Sequence, residues 1–337
     1  MNTRHAQYML TILKEGSITA AARKLYVSQP SLSQTVRLVE NSLGTPIFNR
    51  TTDPITLTYA GEKYMEAARQ ILTIHSNLEK EISEITHEDH GTIRLGIPVQ
   101  RAMEVLPYIL PRFKDRYPHV EIRVTEDGSS AIETMAREGN VDLACLTTSP
   151  KYEELEYIFV EAEELVLLTS RCSALAGRIP AGTPIDITEA RNETFINIKP
   201  GHSVRDIQDR LFILKEMQPR VMFETVSIEV AKRTAIACGA VMICPRNYLD
   251  TTPQLLPHCV TYPLTGIENR RCFYICHRKD RYLTRFMKDF ISMVTTREQA
   301  PGIPPCLDGQ EETPGGYPLN PESSGWSWDS GNSRWKS

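Results

Sequence analysis

The chain has 337 residues, of which 41% are apolar and 24% are charged, and its formal net charge is −4. These values are typical of a globular protein with room for two or three domains. No apolar run approaches the ~20 residues of a membrane span, and no signal peptide is apparent, so we expect a cytoplasmic protein. Its eight cysteines lie mostly inside apolar runs, which favours buried thiols over a disulfide framework.

Residues 17–43 have the spacing of two short helices in tandem. Apolar residues recur at helical spacing from Ile18 to Leu25, and Ser17 can cap this first helix. Ser28 can cap the second helix, whose Pro30 is tolerated in the first turn. One side of the second helix is apolar and carries Leu32, Val36, Val39 and Leu43. The opposite side carries Pro30, Gln34 and Arg37, flanked by Ser31 and Ser33.

A helical face of short donors, an amide and an arginine matches the hydrogen-bonding edges of the DNA major groove. A merely solvated polar face is the alternative. Two short strands, 47–48 and 56–58, follow as a wing around a turn at Asp53-Pro54, and Arg50 in this wing can meet a phosphate. Residues 1–60 hold six basic and three acidic side chains, an excess that favours DNA contact.

This stretch resembles the winged helix-turn-helix of LysR-type transcriptional regulators. The resemblance is carried by the run from Gly16 to Leu25 and by residues 28–33. It continues in order and spacing through Glu40, Leu43-Gly44, Ile47-Phe48, Arg50, Leu57-Thr58 and Gly61. One departure is Asp53 at the wing tip, where the family usually has a basic residue.

The resemblance implies a sequence-specific transcriptional regulator that is not an enzyme and needs no metal or cofactor. Its DNA-contacting residues would be Ser28, Gln29, Pro30, Ser31, Ser33, Gln34, Arg37 and Arg50. Expected partners are double-stranded promoter DNA, a small-molecule effector, further copies of the chain and RNA polymerase, with no membrane. The copies would form a homodimer through a linker helix, and from it a homotetramer.

Residues 59–89 follow the DNA-binding domain (1–58) and predict one long helix. Apolar positions alternate at spacings of four and three, as in a heptad seam. The seam runs through Tyr64, Ala68, Ile71, His75, Leu78, Ile82 and Ile85. We expect it to pair two chains, which would then read half-sites roughly 34 Å, or a multiple of that, apart. An amphipathic helix lying on its own domain is the alternative.

Strands alternate with helices over residues 90–299, which predicts an α/β domain with parallel sheets. A first unit has strand 92–97, helix 103–117, strand 120–125, helix 131–138 and strand 141–146. A second unit has strands 165–169 and 195–198, helix 203–217, strand 220–226, helix 228–238 and strand 240–244. Strand 272–277 and helix 282–294 then return to the first unit. We expect two lobes, about 90–163 with 268–297 and about 164–267, separated by a cleft.

Residues 91–297 resemble LysR-type effector domains, which share the two-lobed fold of type 2 periplasmic binding proteins. Two predicted loops that open helices, 98–102 and 200–203, would face each other across the cleft and offer backbone N–H groups to an anion. With the family's other contact regions, the candidate effector residues are Val99, Gln100, Arg101, Ala102, Gly128, Ser129, Thr147, Thr148, Gly201, His202 and Ser203. The loop lacks Ser and Thr at 99–102 and has Arg101, so we expect an organic anion with an apolar body.

Catalysis is the rival class of function, but no nucleophile elbow, phosphate loop or His-Glu-x-x-His run occurs. Cys272 and Cys276 lie four apart on a predicted strand, next to His277. Core thiols are the favoured interpretation, and zinc or a redox-sensing pair are the others. The alternative functions are therefore a redox-responsive regulator of the same fold and a ligand-binding protein that does not act on DNA.

The last residues, 300–337, differ in composition from the rest of the chain. They hold six prolines, six glycines and all three tryptophans, Trp326, Trp328 and Trp335. Such a segment buries too little apolar surface to fold alone, so we expect a disordered tail. Its aromatic residues could dock on a partner or on the chain itself.

Overall fold

The computed structural model describes residues 2–49, 52, 54–86, 90–249, 252–265, 270–296, 327–329 and 334–336. Its helices are α1 Thr3–Glu15, α2 Ile18–Lys24, α3 Gln29–Leu43, α4 Tyr59–Thr86, α5 Val99–Arg116, α6 Ser129–Arg137, α7 Ala174–Arg178, α8 Ser203–Leu214, α9 Ile228–Cys238 and α10 Arg285–Thr295. Its strands are β1 Phe48–Asn49, β2 Thr56–Leu57, β3 Gly91–Gly96, β4 Val120–Thr125, β5 Leu143–Leu146, β6 Leu155–Ser170, β7 Thr194–Ile198, β8 Arg220–Thr225, β9 Val241–Pro245, β10 Cys259–Pro263, β11 Arg270–Arg278, β12 Ser327–Asp329 and β13 Arg334–Lys336. Short 3-10 helices span Ile187–Ala190, Arg246–Leu249 and Pro253–His258.

The N-terminal unit packs α1, α2, α3, the wing strands β1 and β2, and the start of α4 around one core. The two predicted caps are confirmed. Ser17 accepts a hydrogen bond from Ala20 N at 3.5 Å, and Ser28 accepts one from Ser31 N at 3.3 Å. These caps satisfy backbone N–H groups that a helix start leaves without partners, so they fix where α2 and α3 begin.

Two features of this unit differ from the sequence prediction. Helix α1 precedes the first predicted element, and its Met9 and Ile12 complete the core. Leu43 is 47% exposed instead of lying with Leu32 and Val36, because α3 ends there at Gly44 in a left-handed conformation. The apolar side of α3 is therefore one turn shorter than predicted.

Helix α4 is 28 residues long and changes its surroundings along its length. Tyr64 and Ala68, the first two positions of the predicted seam, are buried in the N-terminal core, so this half of the helix packs on its own domain. The later half carries an exposed apolar stripe of Ile74, Leu78, Ile82 and Ile85. The described part of the chain leaves this stripe open for a partner.

Two α/β lobes follow α4, and each has its own apolar core. In the first lobe β3 runs parallel to β4 and β5, and Phe113 and Phe290 lie in the core. In the second lobe β7 runs parallel to β8 and β9, and Phe195 and Phe212 pack edge to face. The predicted winged N-terminal domain, long helix and two-lobed α/β domain are confirmed.

The lobes are joined by β6, which the sequence predicts only over residues 165–169. Residues 155–164 pair antiparallel with β11 in the first lobe, and residues 166–170 pair antiparallel with β10. The strand order is β4-β3-β5-β11-β6-β9-β7-β8. The predicted parallel arrangement therefore holds within β3, β4 and β5 and within β7, β8 and β9, whereas β6, β10 and β11 run antiparallel to their neighbours. The first ten residues of β6 escape prediction because four glutamates interrupt their apolar pattern.

The predicted disordered tail, 300–337, lies outside the described residues except for β12 and β13. These strands pair antiparallel within a separate small unit, residues 298–337. Across the described ranges, we find no helix with the length and apolarity that crossing a bilayer requires.

Gly61, in the first turn of α4, lies against the backbone of Ile47, the residue before β1. A Cβ at this position would stand 2.1 Å from Ile47 O, so Gly61→Ala forces the backbone to shift. We expect Gly61→Ala to lower the free energy of unfolding by about 1–3 kcal/mol, measured by urea denaturation followed by circular dichroism. Gly177→Ala, in α7, is the matched control because its Cβ meets no atom within 4 Å. Equal stability of the two variants would contradict the close packing of α4 on the wing.

Candidate DNA interface and effector cavity

Helix α3 presents a polar face to solvent, because Leu32, Val36 and Val39 hold its other side in the core. Most of the predicted DNA-contacting residues are exposed, namely Ser28, Gln29, Pro30, Ser31, Gln34 and Arg37. Ser33 is half-buried and accepts a hydrogen bond from Gln29 Nε2 at 2.8 Å. This face offers hydrogen-bond donors and acceptors on a helix of the width that a major groove admits.

The wing is fixed to α3 by a carboxylate. Glu40 accepts hydrogen bonds from Ile47 N at 2.9 Å and from Phe48 N at 3.4 Å, so β1 starts at a defined distance from the helix. β1 and β2 pair antiparallel, as predicted. Arg50, the predicted phosphate contact, and Asp53, at the wing tip, lie outside the described residues.

A cavity of about 340 Å³ lies between the two lobes. The N-terminal ends of α5, α6, α8 and α9 surround it, so helix dipoles and first-turn N–H groups converge on one space. Apolar side chains form much of the remaining wall, among them Met103, Val204, Val226 and Ile228. A cavity of this size, lined by both helix N-termini and apolar side chains, suits a small metabolite with a negative group and an apolar body.

The structure brings most of the predicted effector residues to this cavity. Its lining includes Val99, Gln100, Gly128, Ser129, Thr147, His202 and Ser203. Ala102 and Gly201 do not belong to the lining. Thr148 faces a neighbouring cavity of about 750 Å³, which shares Thr147, Ser203 and Arg271 with the first.

Residues 99–102 are not the loop that the sequence predicts, because α5 already begins at Val99 and Ala102 N bonds to Pro98 O at 2.8 Å. This first turn carries Arg101 inward, where it is fully buried and does not line the cavity. Its guanidinium donates to Glu104 at 2.6 Å and also to Glu163. Arg101 is therefore an ion-pair residue behind the cavity wall.

Glu163 is the carboxylate at the centre of this buried network. It accepts hydrogen bonds from Arg101 and Arg271, and Asn247 Nδ2 donates to Glu163 and to Glu104, both at 2.8 Å. Burial opposes the ionisation of Glu163, but Arg271 and Arg101 outweigh it and hold its pKa at about 2. Glu163 therefore stays charged and fixes Arg271 at the cavity and Arg101 behind the cavity wall.

Arg271 is the cation that lines the cavity, and sequence reasoning misses it. Its Nη1 donates to Ser203 Oγ at 3.0 Å. Ser203 Oγ lies 2.9 Å from Thr147 Oγ1, which lies 3.0 Å from Ser129 Oγ. Arg271 Nη2 is buried and has no hydrogen-bond partner within the described part of the chain. The only sequence signal is an arginine pair before an apolar strand, which reads as a solvated strand end.

His202 precedes α8 and lies half-buried beside the cavity. Burial lowers the pKa of His202, although Asp127 and Asp206 act in the opposite direction. The neutral imidazole is therefore favoured, and it can donate or accept one hydrogen bond at the cavity wall.

The proposed cysteine pair does not meet the geometry of a disulfide. Cys272 and Cys276 lie on one continuous strand, where four residues span about 13 Å, roughly twice the Cα separation a disulfide allows. Cys276 is fully buried, and burial raises the pKa of its thiol. No group of three or more metal-ligating side chains occurs among the residues that the structure describes.

Helix α3 has an exposed polar face, and the long helix α4 joins it to a two-lobed domain with a cavity. This is the architecture of a ligand-controlled DNA-binding regulator. Residues 3–62 match the family model described as bacterial regulatory helix-turn-helix protein, lysR family. Residues 86–299 match the model described as LysR substrate binding domain. The chain belongs to the LysR family of transcriptional regulators.

Two relatives that carry the name of HTH-type transcriptional regulators match the chain over most of their own length. The chain is 30% identical over 329 residues to the HTH-type regulator YcgK of Bacillus subtilis, covering 93% of this chain and 99% of that protein. It is 33% identical over 301 residues to the HTH-type regulator CysB of Haemophilus influenzae, covering 86% and 89% of the two chains.

Solved structures of the same family share the fold. Full-length OxyR from Pseudomonas aeruginosa is 19% identical with a TM-score of 0.64, covering 89% of this chain and 99% of that one. Full-length CbnR in complex with its target DNA is 20% identical with a TM-score of 0.54, covering 87% and 99%.

Glu163→Gln removes the negative charge that pairs with two buried arginines, Arg101 and Arg271. We expect it to lower the free energy of unfolding by about 3–5 kcal/mol near neutral pH, measured by urea denaturation. Because the folded-state pKa lies below the usual 4.5, the contribution of Glu163 is complete above about pH 4.5 and is lost as the pH falls toward 2.

Glu161→Gln is the control for this change. Glu161 also contacts Arg101, at 3.2 Å, but its side chain is 40% exposed, so we expect a loss of about 1 kcal/mol or less. Equal losses in the two variants would show that the buried network around Glu163 contributes no more to the free energy of unfolding than a partly exposed ion pair does.

Proposed function

We propose that the exposed face of α3 reads base edges in the major groove, while the wing meets the phosphate backbone. The residues proposed for contact with DNA are Ser28, Gln29, Pro30, Ser31, Ser33, Gln34, Arg37 and Arg50. One observation supports this more than any other: the polar face of α3 is exposed while Leu32 and Val36 fix its other side in the core. An amide and a guanidinium on such a face suit adenine and guanine edges.

We propose that two chains pair through the exposed stripe of α4, defined by Ile74, Leu78, Ile82 and Ile85. A contiguous apolar stripe on a helix this long gains free energy when it is covered. Pairing would place two α3 helices on one duplex and would let the protein read two half-sites. Assembly into a tetramer and contact with RNA polymerase are proposals that rest on the family alone.

We propose that the 340 Å³ cavity holds an organic anion with an apolar body. Arg271 supplies the charge in place of Arg101, because its Nη2 is buried without a hydrogen-bond partner in the described residues. Further contacts are proposed for Val99, Gln100, Gly128, Ser129, Thr147, His202 and Ser203. We do not propose Ala102, Thr148 and Gly201 as effector contacts, because they do not line this cavity.

The anion would act by binding one arrangement of the lobes more tightly than another. The hydroxyls of Ser129 and Thr147 belong to the first lobe and Ser203 to the second, so a ligand among them touches both. Only such a difference in affinity can shift an equilibrium between arrangements. The shift would then change the spacing or bend of the bound DNA.

The DNA proposal is tested by the double variant Gln34→Ala, Arg37→Ala. We expect it to lose at least about tenfold in affinity for a promoter fragment, because each base contact contributes ~1–3 kcal/mol of discrimination. Gel retardation and footprinting on the DNA that flanks the gene would measure both affinity and half-site spacing. Arg233→Ala, an exposed arginine of the second lobe, is the control. Unchanged affinity and sequence preference in the folded double variant would remove α3 from the interface.

The effector proposal is tested by Arg271→Lys, which keeps a positive charge near Glu163 but removes the free Nη2. Isothermal titration with a panel of aromatic and aliphatic carboxylates would first identify a binder of the parent protein. We expect Arg271→Lys to weaken that binder about tenfold or more, as for a hydrogen bond to a charged group. Thr148→Ala, in the neighbouring cavity, should bind like the parent. Equal affinities of parent and Arg271→Lys would rule out Arg271 as the anion contact.

A further inference from the structure

The linker helix α4 is fastened to the first lobe along one of its faces. Asn77 Nδ2 donates to Asp280 O at 2.7 Å, and Asn77 Oδ1 accepts from Tyr282 N at 3.0 Å. One turn further on, Lys80 Nζ donates to Asp142 Oδ1 at 2.8 Å. Positions 77 and 80 share a helix face that differs from the exposed apolar stripe of α4.

Both polar atoms of the Asn77 side chain are hydrogen-bonded in this contact. Its amide uses one donor and one acceptor against two backbone groups of the segment that follows β11. A single amide that bridges two main-chain groups fixes both distance and direction, because both bonds must form together. Asn77 therefore sets the position of α4 along the lobe.

Neighbouring positive charges oppose the contact between Lys80 and Asp142. Asp142 is buried and also pairs with Arg94, at 2.9 Å, and with Arg281, so one carboxylate faces three cations. Burial, together with repulsion from Arg281 and Arg94, lowers the pKa of Lys80 to about 6. Docking of α4 therefore places Lys80 where three cations share one carboxylate, which disfavours the charged form of Lys80.

The same elements reach the effector cavity. Asp142 immediately precedes β5, and Thr147, in the cavity wall, immediately follows it. β11 pairs with β5, carries Arg271 near its cavity end and leads to Asp280 at its other end. Both sides of the α4 contact are thus continuous with strands that end at the cavity.

We propose that Asn77, Lys80 and Asp142 form a latch that positions the DNA-reading unit on the effector lobes. Asn77 fastens the latch, and Lys80 keeps it weak enough to open. Because α4 runs unbroken from the N-terminal core to the latch, its docked position sets where α3 stands on DNA. The DNA output of the latch rests on the proposed function, whereas the docking itself does not.

The latch predicts opposite effects for two substitutions on the same helix. Lys80→Met keeps an apolar stem but removes one of the three cations, while Asp142 retains Arg94 and Arg281, so docking tightens. Asn77→Ala removes both bridging bonds, so docking loosens. Lys63→Met is the matched control, since Lys63 is exposed on α4 far from the latch.

Docking is measured in the full chain by hydrogen exchange of the Tyr282 amide, which α4 covers only when docked. We expect exchange to slow about tenfold in Lys80→Met and to match the parent in Lys63→Met. The DNA output is measured as the ratio of affinities for fragments whose half-sites differ in spacing by half a helical turn, ~5 base pairs. We expect this ratio to fall about tenfold in Asn77→Ala and to rise in Lys80→Met.

Two results would overturn the latch: a Tyr282 amide in Lys80→Met that exchanges as fast as in the parent, or an Asn77→Ala variant with the parent's spacing ratio. Binding to a single half-site separates the two proposals, because the latch leaves it unchanged. A parent protein that bound no half-site would end the DNA proposal, and the Tyr282 exchange rates would then decide the latch alone.

Discussion

One helix, α4, constrains the rest of the molecule because different sides of it meet different neighbours. Tyr64 and Ala68 fill the core of the DNA-binding unit, and Asn77 meets the first effector lobe. A helix of 28 residues is a rod of about 42 Å whose hydrogen bonds lie within itself. Movement of one end is therefore passed to the other as a rigid-body motion.

The effector domain contains two clusters of charged side chains that differ in their balance of positive and negative charge. Around Glu163, carboxylates and arginines are close to balance, and Asn247 donates to Glu104 and Glu163, so this cluster holds Arg271 at the cavity. Around Asp142, three cations share one carboxylate, and Lys80 is the cation that α4 contributes. Removing one member of a buried, paired cluster is strongly destabilising, whereas a cation that shares its carboxylate with two others is less completely compensated.

The sequence predicts the parts whose signal is local. Caps at Ser17 and Ser28, the polar face of α3 and the lobes follow from periodicity within single elements. The errors concern residues whose role depends on distant partners. Arg101, a predicted effector contact, is buried in the first turn of α5, and Arg271, which the sequence does not single out, lines the cavity. The first part of β6 escapes prediction for the same reason, since its Glu161, Glu163 and Glu164 pair with arginines far along the chain.

The most direct test of this account is a structure of the full chain bound to a duplex with two half-sites. We predict that Gln34 and Arg37 lie within hydrogen-bond distance of base edges, and that α4 connects this contact to the first lobe without a break. A complex in which α3 stands outside the major groove, or in which α4 unfolds between the DNA-binding unit and Asn77, would contradict it.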